Sequence, residues 1–359
     1  MSAPPNIKPT AIGAYKHIGP EKIPIAFNLY LPSSETTPVL SGPLTLPTVV
    51  YFHGGGLAIG DLTWFPQWLY DRVMSLGYAF ISANYQLLLP GTVHDIIQDV
   101  QDLFIYLENS EVALDHQRSF RADMDRIAVA GSSSGGHCAY LAAMHCVPKP
   151  KAIFTMYPVG GSFFTPFYLK EKTTPFFMGQ GLIDPAPLKR FLYPFEGGSR
   201  TPISKSAVGF DPVTKAPNNR RMAVPPLWIQ LGVVLDYYNG IHEPSLSAKL
   251  RKVLEEDPHA TSKDFEKAMP VSQRYTFPEL NVSAAWPPTL SFHGDADTAV
   301  LVSESQNLTK LLKEAGVNAE LMIASGQEHL FDAHPQAEEK WGKQFETAKD
   351  FFFKHLGKA

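Results

Sequence analysis

Short apolar segments alternate with longer helical segments along most of the chain. The short segments are rich in β-branched and aromatic residues, which predicts buried strands. The first two strands predict an antiparallel pair, and residues 33–47, rich in Ser, Thr and Pro, predict a loop. We expect strands at 14–18, 23–31, 49–52, 78–83, 127–130, 152–157, 289–293 and 320–323, and helices at 65–76, 92–108, 134–146, 302–315 and 337–355.

This alternation predicts an α/β fold, with a mostly parallel sheet covered by helices on both faces. The pattern is interrupted at 159–284, a segment rich in proline and aromatic residues, with short helices expected at 187–192, 226–238 and 245–255. An irregular insertion of this length indicates a function, and its aromatic residues favour packing over disorder. We expect a cap or lid at 159–284, with core parts at 1–158 and 285–359; a peripheral ornament is the alternative.

The sequence G-S-S-S-G at 131–135 lies between a predicted strand and a predicted helix. A strand, then G-x-S-x-G, then a helix is the arrangement of a nucleophile elbow. The tight turn exposes the middle serine, Ser133, at a helix N-terminus, where a developing anion is stabilised.

A glycine-rich sequence, H-G-G-G at 53–56, follows the predicted strand at 49–52. Glycines leave backbone N–H groups unshielded, so these groups can approach a substrate oxygen before charge develops on it. We expect an oxyanion hole formed by Gly55, Gly56 and the N–H of Ser134, the residue after the nucleophile.

Two later loops supply a candidate acid and a candidate base. The first contains Asp295 and Asp297 after the strand at 289–293, and the second contains His329 and His334 after the strand at 320–323. The resulting chain order of Ser, Asp and His is the order of the α/β-hydrolases. The residues alone leave both pairs of alternatives open.

Together these motifs resemble the hormone-sensitive-lipase-like and arylacetamide-deacetylase-like esterase branch of the α/β-hydrolase superfamily. The resemblance covers most of the chain outside 159–284 and implies the α/β-hydrolase fold. It selects Asp297, three residues after Gly294, and His329 in the sequence E-H-L-F. His53 is an alternative base, but we expect it to order the glycine loop through hydrogen bonds. The matching segments are H-G-G-G at 53–56, G-D at 60–61, A-N-Y-Q-L at 83–87, the elbow, G-D-A-D at 294–297 and His329.

Two departures from the branch concern the substrate pocket. Serines flank the nucleophile at Ser132 and Ser134, where the branch usually has Asp or Thr before it and Ala after it. The sequence Q-L-L-L-P at 86–90 replaces the usual acidic, proline-containing motif. Substrates of relatives therefore do not transfer to this chain.

The resemblance implies a serine hydrolase that cleaves a carboxylic ester or a lactone. Ser133 would attack the acyl carbonyl, His329 would take and return the proton, and Asp297 would hold the imidazole. A tailoring enzyme for acyl transfer, cyclisation or condensation in small-molecule biosynthesis is the alternative. A peptidase of the prolyl-oligopeptidase type usually needs a large propeller for which the chain has no room, and a non-hydrolytic receptor would generally have lost a triad member.

Aromatic residues near the oxyanion loop and in the insertion are the candidates for the substrate pocket. A cap over the strand ends would use them to bury an acyl or alcohol group. The expected pocket residues are Trp64, Phe65, Phe163, Phe164, Trp228, Tyr237 and Tyr238.

Composition limits the partners. The formal net charge is −4 without a long basic run, which argues against nucleic acid and anionic membranes as partners. Cys138 and Cys146 lie eight residues apart on one predicted helix, roughly 12 Å along its axis, too far for a disulfide. No metal-binding motif, cofactor motif, signal region or transmembrane stretch is found, so we expect a metal-free, cofactor-free cytoplasmic enzyme for a small molecule, with homodimer formation left open.

Overall fold

A computed structural model of the protein describes residues 7–32, 42–195, 200–209, 211 and 217–359. In this part of the chain nine strands form one sheet in the order β1-β2-β4-β3-β6-β7-β8-β9, with β5 pairing to β6. The strands are β1 (Ala11–Ile18), β2 (Ile23–Tyr30), β3 (Leu44–Phe52), β4 (Ala79–Ala83), β5 (Val112–Ala113), β6 (Ser119–Ser132), β7 (Ala152–Met156), β8 (Thr289–Gly294) and β9 (Ala319–Ala324).

Most of the sheet is parallel. The strands from β4 through β3, β6, β7 and β8 to β9 pair in parallel, whereas β1–β2 and β2–β4 pair antiparallel. Strand β3 lies between β4 and β6, so the direction of chain progression across the sheet reverses there. Ligands bind at such a reversal, beyond the carboxyl ends of the strands.

Helices cover both faces of the sheet, as the alternating pattern predicted. One buried cluster includes side chains of the helices at 93–109, 134–145 and 302–314, and the other includes side chains of the helices at 67–75 and 337–356. The α-helices are α1 (Gln67–Ser75), α2 (Val93–Asn109), α3 (Ser134–His145), α4 (Pro166–Leu169), α5 (Val224–Gln230), α6 (Val234–Asn239), α7 (Leu246–Glu256), α8 (Ser262–Ala268), α9 (Val271–Arg274), α10 (Val302–Glu314) and α11 (Ala337–Leu356).

Local sequence explains where the main helices begin. Helix α2 starts at a capping box, in which the Thr92 backbone N–H donates to Asp95 Oδ2 at 2.8 Å. Helix α3 begins directly after Ser133, and all of its residues from Ser134 to Ala143 are buried. Its small residues allow it to lie close to the sheet, and this fixes the position of the preceding turn.

The strand boundaries correct two predictions. Part of the predicted loop at 33–47 lies outside the described residues, and Leu44–Pro47 belongs to β3. Pro47 cannot donate a ladder hydrogen bond, and the pairing of β3 with β6 shifts register between Leu46 and Thr48. Strand β6 begins at Ser119 rather than 127, because a polar stretch hides its first half from a search for apolar runs.

The insertion lies between β7 and β8 and contains α4 to α9. The helix predicted at 226–238 is wrong as a single element, because Gly232 adopts φ 65° and separates α5 from α6. The segment predicted as a helix at 187–192 is a 3₁₀ helix, Ala186–Phe191. The helix expected at 245–255 is α7, where the Ser245 hydroxyl accepts from the Ala248 N–H at 3.0 Å.

Candidate active site

The turn between β6 and α3 holds Ser133 in a rare backbone conformation, with φ 53° and ψ −123°. Two glycines make this turn sterically feasible. A Cβ on Gly135 would lie 2.0 Å from the carbonyl oxygen of Phe52, and one on Gly131 would lie 2.1 Å from the carbonyl oxygen of Gly135. The G-x-S-x-G spacing is therefore a packing requirement of this turn, which presents the Ser133 hydroxyl at the start of α3.

Loops after β8 and β9 bring an acid and a base to this serine. His329 Nε2 lies 3.1 Å from Ser133 Oγ, and His329 Nδ1 lies 2.6 Å from Asp297 Oδ2. The three side chains form a continuous hydrogen-bonded chain although they are separated by more than 30 residues in sequence at each step. This is the relative arrangement of nucleophile, base and orienting acid in serine hydrolases.

Asp297 is buried, and its carboxylate is fully engaged. Its Oδ1 accepts from the backbone N–H groups of Ala299 at 2.9 Å and Val300 at 2.8 Å. Burial alone would raise the pKa of Asp297, but hydrogen bonds with His293 and His329 hold this pKa well below its usual range. The carboxylate is therefore ionised at every pH at which the protein would work.

The alternatives to these residues make other contacts and do not join the hydrogen-bonded chain. Asp295 is exposed and accepts from the Ser325 hydroxyl at 3.2 Å and the Gly326 N–H at 2.5 Å, so it joins the loop after β8 to the loop after β9. His334 is exposed and accepts from the Gln336 N–H at 3.4 Å. His53 is completely buried, and burial lowers its pKa to about 4.

The loop after β3 carries the glycines expected to hold an oxyanion. Gly55 and Gly56 adopt φ values of 122° and 60°, and the Gly55 carbonyl accepts from the N–H groups of Ala58 and Ile59, both at 3.1 Å. His53 Nδ1 lies 2.8 Å from the Gly54 carbonyl, and its ring stacks on Tyr85 at a centroid distance of 4.6 Å. His53 thus orders this loop.

Ser133 and His329 line a cavity of about 680 Å³, together with Gly55, Gly56 and Ser134. Much of the remaining lining comes from the insertion and is mainly apolar. Its residues include Phe163, Tyr168, Phe177, Met178, Ile183, Met222, Pro225, Ile229 and Tyr238. A cavity of this kind accommodates an apolar group next to the hydroxyl of Ser133.

The seven aromatic residues proposed for the pocket separate into two groups. Trp64, Phe65, Phe163 and Tyr238 line the cavity. The other three pack inside the insertion: Phe164 stacks on Phe265 at 5.0 Å, and Trp228 stacks on Tyr237 at 4.2 Å. We therefore exclude Phe164, Trp228 and Tyr237 from the proposed lining.

Sequence reasoning missed a buried group beneath the imidazole of His329. The ring of Tyr157 meets that of His329 edge to face at 4.5 Å, and the Tyr157 hydroxyl donates to Asp332 Oδ1 at 2.6 Å. Trp68 Nε1 donates to the other oxygen of Asp332 at 3.0 Å. The available signal was positional, because Tyr157 directly follows β7 and Asp332 lies three residues after His329.

Glu328 connects the acid loop to the base loop. Its carboxylate accepts from the His329 backbone N–H at 2.6 Å and from the Thr298 N–H at 3.1 Å. The Thr298 hydroxyl also donates to Glu328, and it accepts from the Met178 N–H at 2.8 Å. One residue of the insertion is thereby joined to the loop that carries Asp297.

Two buried carboxyl groups hold the beginning of the insertion. Glu304 accepts from the Gly160 N–H at 2.6 Å and from the hydroxyl of Tyr168, and Glu279 accepts from the Phe163 N–H at 2.6 Å. Burial raises the pKa of each carboxyl group to about 8. Near neutral pH these groups therefore retain protons that an exposed glutamate would release.

The described ranges given above contain neither a cluster of metal ligands nor a membrane-spanning helix. No group of three or more His, Cys, Asp and Glu side chains there is arranged to hold a metal ion. In the same part of the chain, no helix combines the length and apolar character needed to cross a bilayer.

Comparison with known proteins gives matches at both ends of the chain. The profile of the BD-FAE family matches residues 27–149, and that of the prolyl oligopeptidase family matches residues 248–359. The probable carboxylesterase M8 of Phoma sp. is 33% identical over 117 residues, which are 31% of this chain and 37% of that protein. The non-reducing polyketide synthase ausA of Aspergillus calidoustus is 26% identical over 309 residues, which are 80% of this chain and 12% of that protein.

Among solved structures, esterase 2 of Thermogutta terrifontis has a TM-score of 0.57 to this protein at 16% identity, covering 99% of this chain and 98% of that chain. The protein is an α/β-hydrolase in fold, which confirms the fold class predicted from the motifs. Among curated proteins the chain resembles carboxylesterases, in agreement with the predicted esterase branch. The chain spans little more than a third of the length of the first of these curated relatives.

Proposed function

We propose that the protein is a serine hydrolase that cleaves a carboxylic ester or a lactone. The observation that carries this proposal is the hydrogen-bonded chain from Ser133 Oγ through His329 to Asp297, at 3.1 and 2.6 Å, opening into an apolar cavity. Its resemblance to carboxylesterases supports the same class of reaction.

In the first half of the reaction, Ser133 Oγ attacks the acyl carbonyl carbon while His329 Nε2 accepts the hydroxyl proton. A serine hydroxyl is a weak nucleophile without such a base. The carbonyl oxygen becomes an anion, held by the N–H groups of Gly55, Gly56 and Ser134, and each such donor is worth about 10²–10³ in rate. The imidazolium then gives its proton to the departing alcohol, leaving an acyl-enzyme.

In the second half, a water molecule takes the place of the alcohol. His329 removes a proton from the water as it attacks the acyl carbon, and the proton then passes to Ser133 Oγ as the carboxylic acid leaves. Asp297 remains ionised and holds the Nδ1 proton throughout, so Nε2 is the nitrogen free to act as the base.

The cavity favours an uncharged ester with a sizeable apolar group. Its volume of about 680 Å³ exceeds the need of an acetyl group, and residues such as Phe163, Phe177 and Ile229 supply apolar surface. We further propose that 159–284 is the cap that shapes this cavity, inserted between core parts 1–158 and 285–359. The many wall residues from that segment support this division.

The test is hydrolysis of a p-nitrophenyl ester and lactone panel by the wild type and the Ser133→Ala variant. We expect hydrolysis to fall to background in the variant, and we expect an organophosphonate to label Ser133 of the wild type covalently. The matched control is Ser291→Ala, which removes a buried hydroxyl that lies 2.8 Å from Thr155 Oγ1 in the sheet. Absence of wild-type hydrolysis, or labelling of Ser132 or Ser134 instead, would refute the proposal.

A second candidate is transfer of the acyl group to a nucleophile other than water. It is favoured by the similarity to non-reducing polyketide synthases, which extends over 80% of this chain. The test measures products in ¹⁸O-labelled water with alcohols added. Esters formed at the expense of labelled acid support transfer, whereas labelled acid as the sole product supports hydrolysis.

A further inference from the structure

Arg221 is a buried arginine of the insertion, 9% exposed, in the 3₁₀ helix Arg220–Ala223. Its guanidinium donates to three backbone carbonyl groups. Nε donates to Ala58 at 2.7 Å, and Nη2 donates to Leu89 at 2.7 Å and to Leu88. Long charged side chains are rarely buried unless they are paired, so this arrangement indicates a specific role.

The three carbonyl groups belong to two loops of the core. Ala58 follows the glycine sequence at 53–56, and its N–H closes the turn on the Gly55 carbonyl at 3.1 Å. Leu88 belongs to the loop after β4, and its N–H donates to the Leu57 carbonyl at 2.8 Å. Arg221 therefore joins the two loops through their backbone carbonyl groups, close in sequence to the glycines proposed to hold the oxyanion.

Neighbouring residues of the insertion bind the same loops. Ser206 and Gly60 exchange two backbone hydrogen bonds at 2.7 and 2.9 Å, and the Leu87 N–H donates to the Ile203 carbonyl at 2.8 Å. Pro225 packs so closely that a Cβ on Gly56 would lie 2.5 Å from the Pro225 Cβ. The glycine loop is thus held from the insertion as well as from the sheet.

We propose that Arg221 is a positioning residue for the oxyanion hole. It fixes the turn at 55–58 from outside the cavity, so that the N–H groups of Gly55 and Gly56 keep their direction as charge develops on the substrate. Burial lowers the pKa of Arg221 to about 10, so the guanidinium is still charged at neutral pH. A charged donor binds carbonyl oxygens more strongly than a neutral one does.

This inference rests on the proposed hydrolase function, and it predicts a particular kinetic change. Fixed donors act mainly on the transition state, so their displacement lowers kcat and leaves KM almost unchanged. Loss of a whole oxyanion donor lowers the rate by about 10²–10³. For a displaced turn we expect a smaller effect, a decrease in kcat of roughly 10- to 100-fold. Arg221→Lys should recover part of the loss, because it keeps the charge but not the planar group of donors.

The experiment compares Arg221→Met and Arg221→Lys with the wild type. The matched control is Arg251→Met, since Arg251 is another insertion arginine that binds backbone carbonyls, at Leu169 and at Gly232 (2.7 Å), away from the glycine loop. Readouts are kcat, KM, the melting temperature and affinity for an aryl trifluoromethyl ketone, which forms a hemiketal oxyanion on Ser133. If Arg221→Met does not fold, Asn219→Ala replaces it, because Asn219 caps the 3₁₀ helix that carries Arg221: its Oδ1 accepts from the Arg221 backbone N–H at 3.0 Å.

We expect the Arg221 variants to lose kcat and affinity for the ketone by similar factors, with Arg221→Lys in between and Arg251→Met close to wild type. Equal effects of Arg221→Met and Arg251→Met, or a rise in KM at constant kcat, would overturn the assignment. Failure of the proposed function gives a different result, because the wild type itself would then hydrolyse none of the esters.

Discussion

Replacing Asp297 by asparagine tests the orienting acid, because the change keeps the shape of the side chain and removes its charge. In the wild type, Oδ1 is occupied by the N–H groups of Ala299 and Val300, and Oδ2 faces Nδ1 of His329 at 2.6 Å. The two N–H donors require an oxygen. The amide of the Asp297→Asn variant would therefore keep its oxygen on that side and turn its NH₂ group toward His329.

The magnitude follows from this orientation. An NH₂ group facing Nδ1 requires that nitrogen to accept, so the imidazole proton moves to Nε2, which faces Ser133 Oγ at 3.1 Å. The imidazole can then no longer take the serine proton. In a serine hydrolase this tautomer change costs about 10⁴-fold in kcat, equivalent to about 5.5 kcal/mol of activation free energy.

The assay is kcat for p-nitrophenyl ester hydrolysis, with circular dichroism and melting temperature as checks of folding. Asp295→Asn is the matched control in the same loop, because Asp295 is exposed and accepts from Ser325 and Gly326, whereas Asp297 holds His329. We expect that control to lose less than about tenfold, in line with a surface change. A larger loss for Asp295→Asn than for Asp297→Asn would refute the reasoning.

Two more predictions concern the contacts of the insertion, one with the core residue Glu304 and one with the substrate. Because burial raises the pKa of Glu304 from 4.5 to about 8, folding takes up a proton between these values, and stability falls as pH rises through that window. The melting temperature should therefore decrease less between pH 5 and 8.5 in Glu304→Gln than in the wild type; an equal decrease would contradict this. For the cavity, kcat/KM should rise by up to about fourfold per added acyl CH₂ until the space is filled. Tyr238→Ala should move that optimum to longer chains, and Trp228→Ala should lower the melting temperature without moving it; identical profiles would contradict the lining.

The core fold was predictable because its signals are local. Buried parallel strands are short apolar runs, and the helices between them begin at recognisable residues such as Thr92 with Asp95. The strand boundaries were predicted wrongly where a strand contains proline or polar residues besides its apolar run. Strand β3 continues through Pro47, and β6 contains a polar stretch, so neither extension has the composition of a buried strand.

The candidate site also contains a part that the sequence predicts and a part that it does not. The serine turn and the glycine loop have spacings imposed by backbone geometry, and the sequence therefore contains them explicitly. The lining of the pocket depends on which side of a short helix faces inward. Tyr237 and Tyr238 are adjacent in sequence, but Tyr237 stacks on Trp228 and Tyr238 lines the cavity. All residues of α5 are buried, so periodicity carried no information about its direction.

The insertion is tied to the proposed chemistry as well as to the shape of the pocket. Its groups bind the loops next to both parts of the proposed machinery: Arg221 donates to the Ala58 carbonyl, and the Met178 N–H donates to the Thr298 hydroxyl. Ala58 lies two residues after the glycines proposed to hold the oxyanion, and Thr298 directly follows Asp297. Changes in this segment should therefore alter kcat together with substrate preference, because the segment that encloses the substrate also holds the loops that act on it.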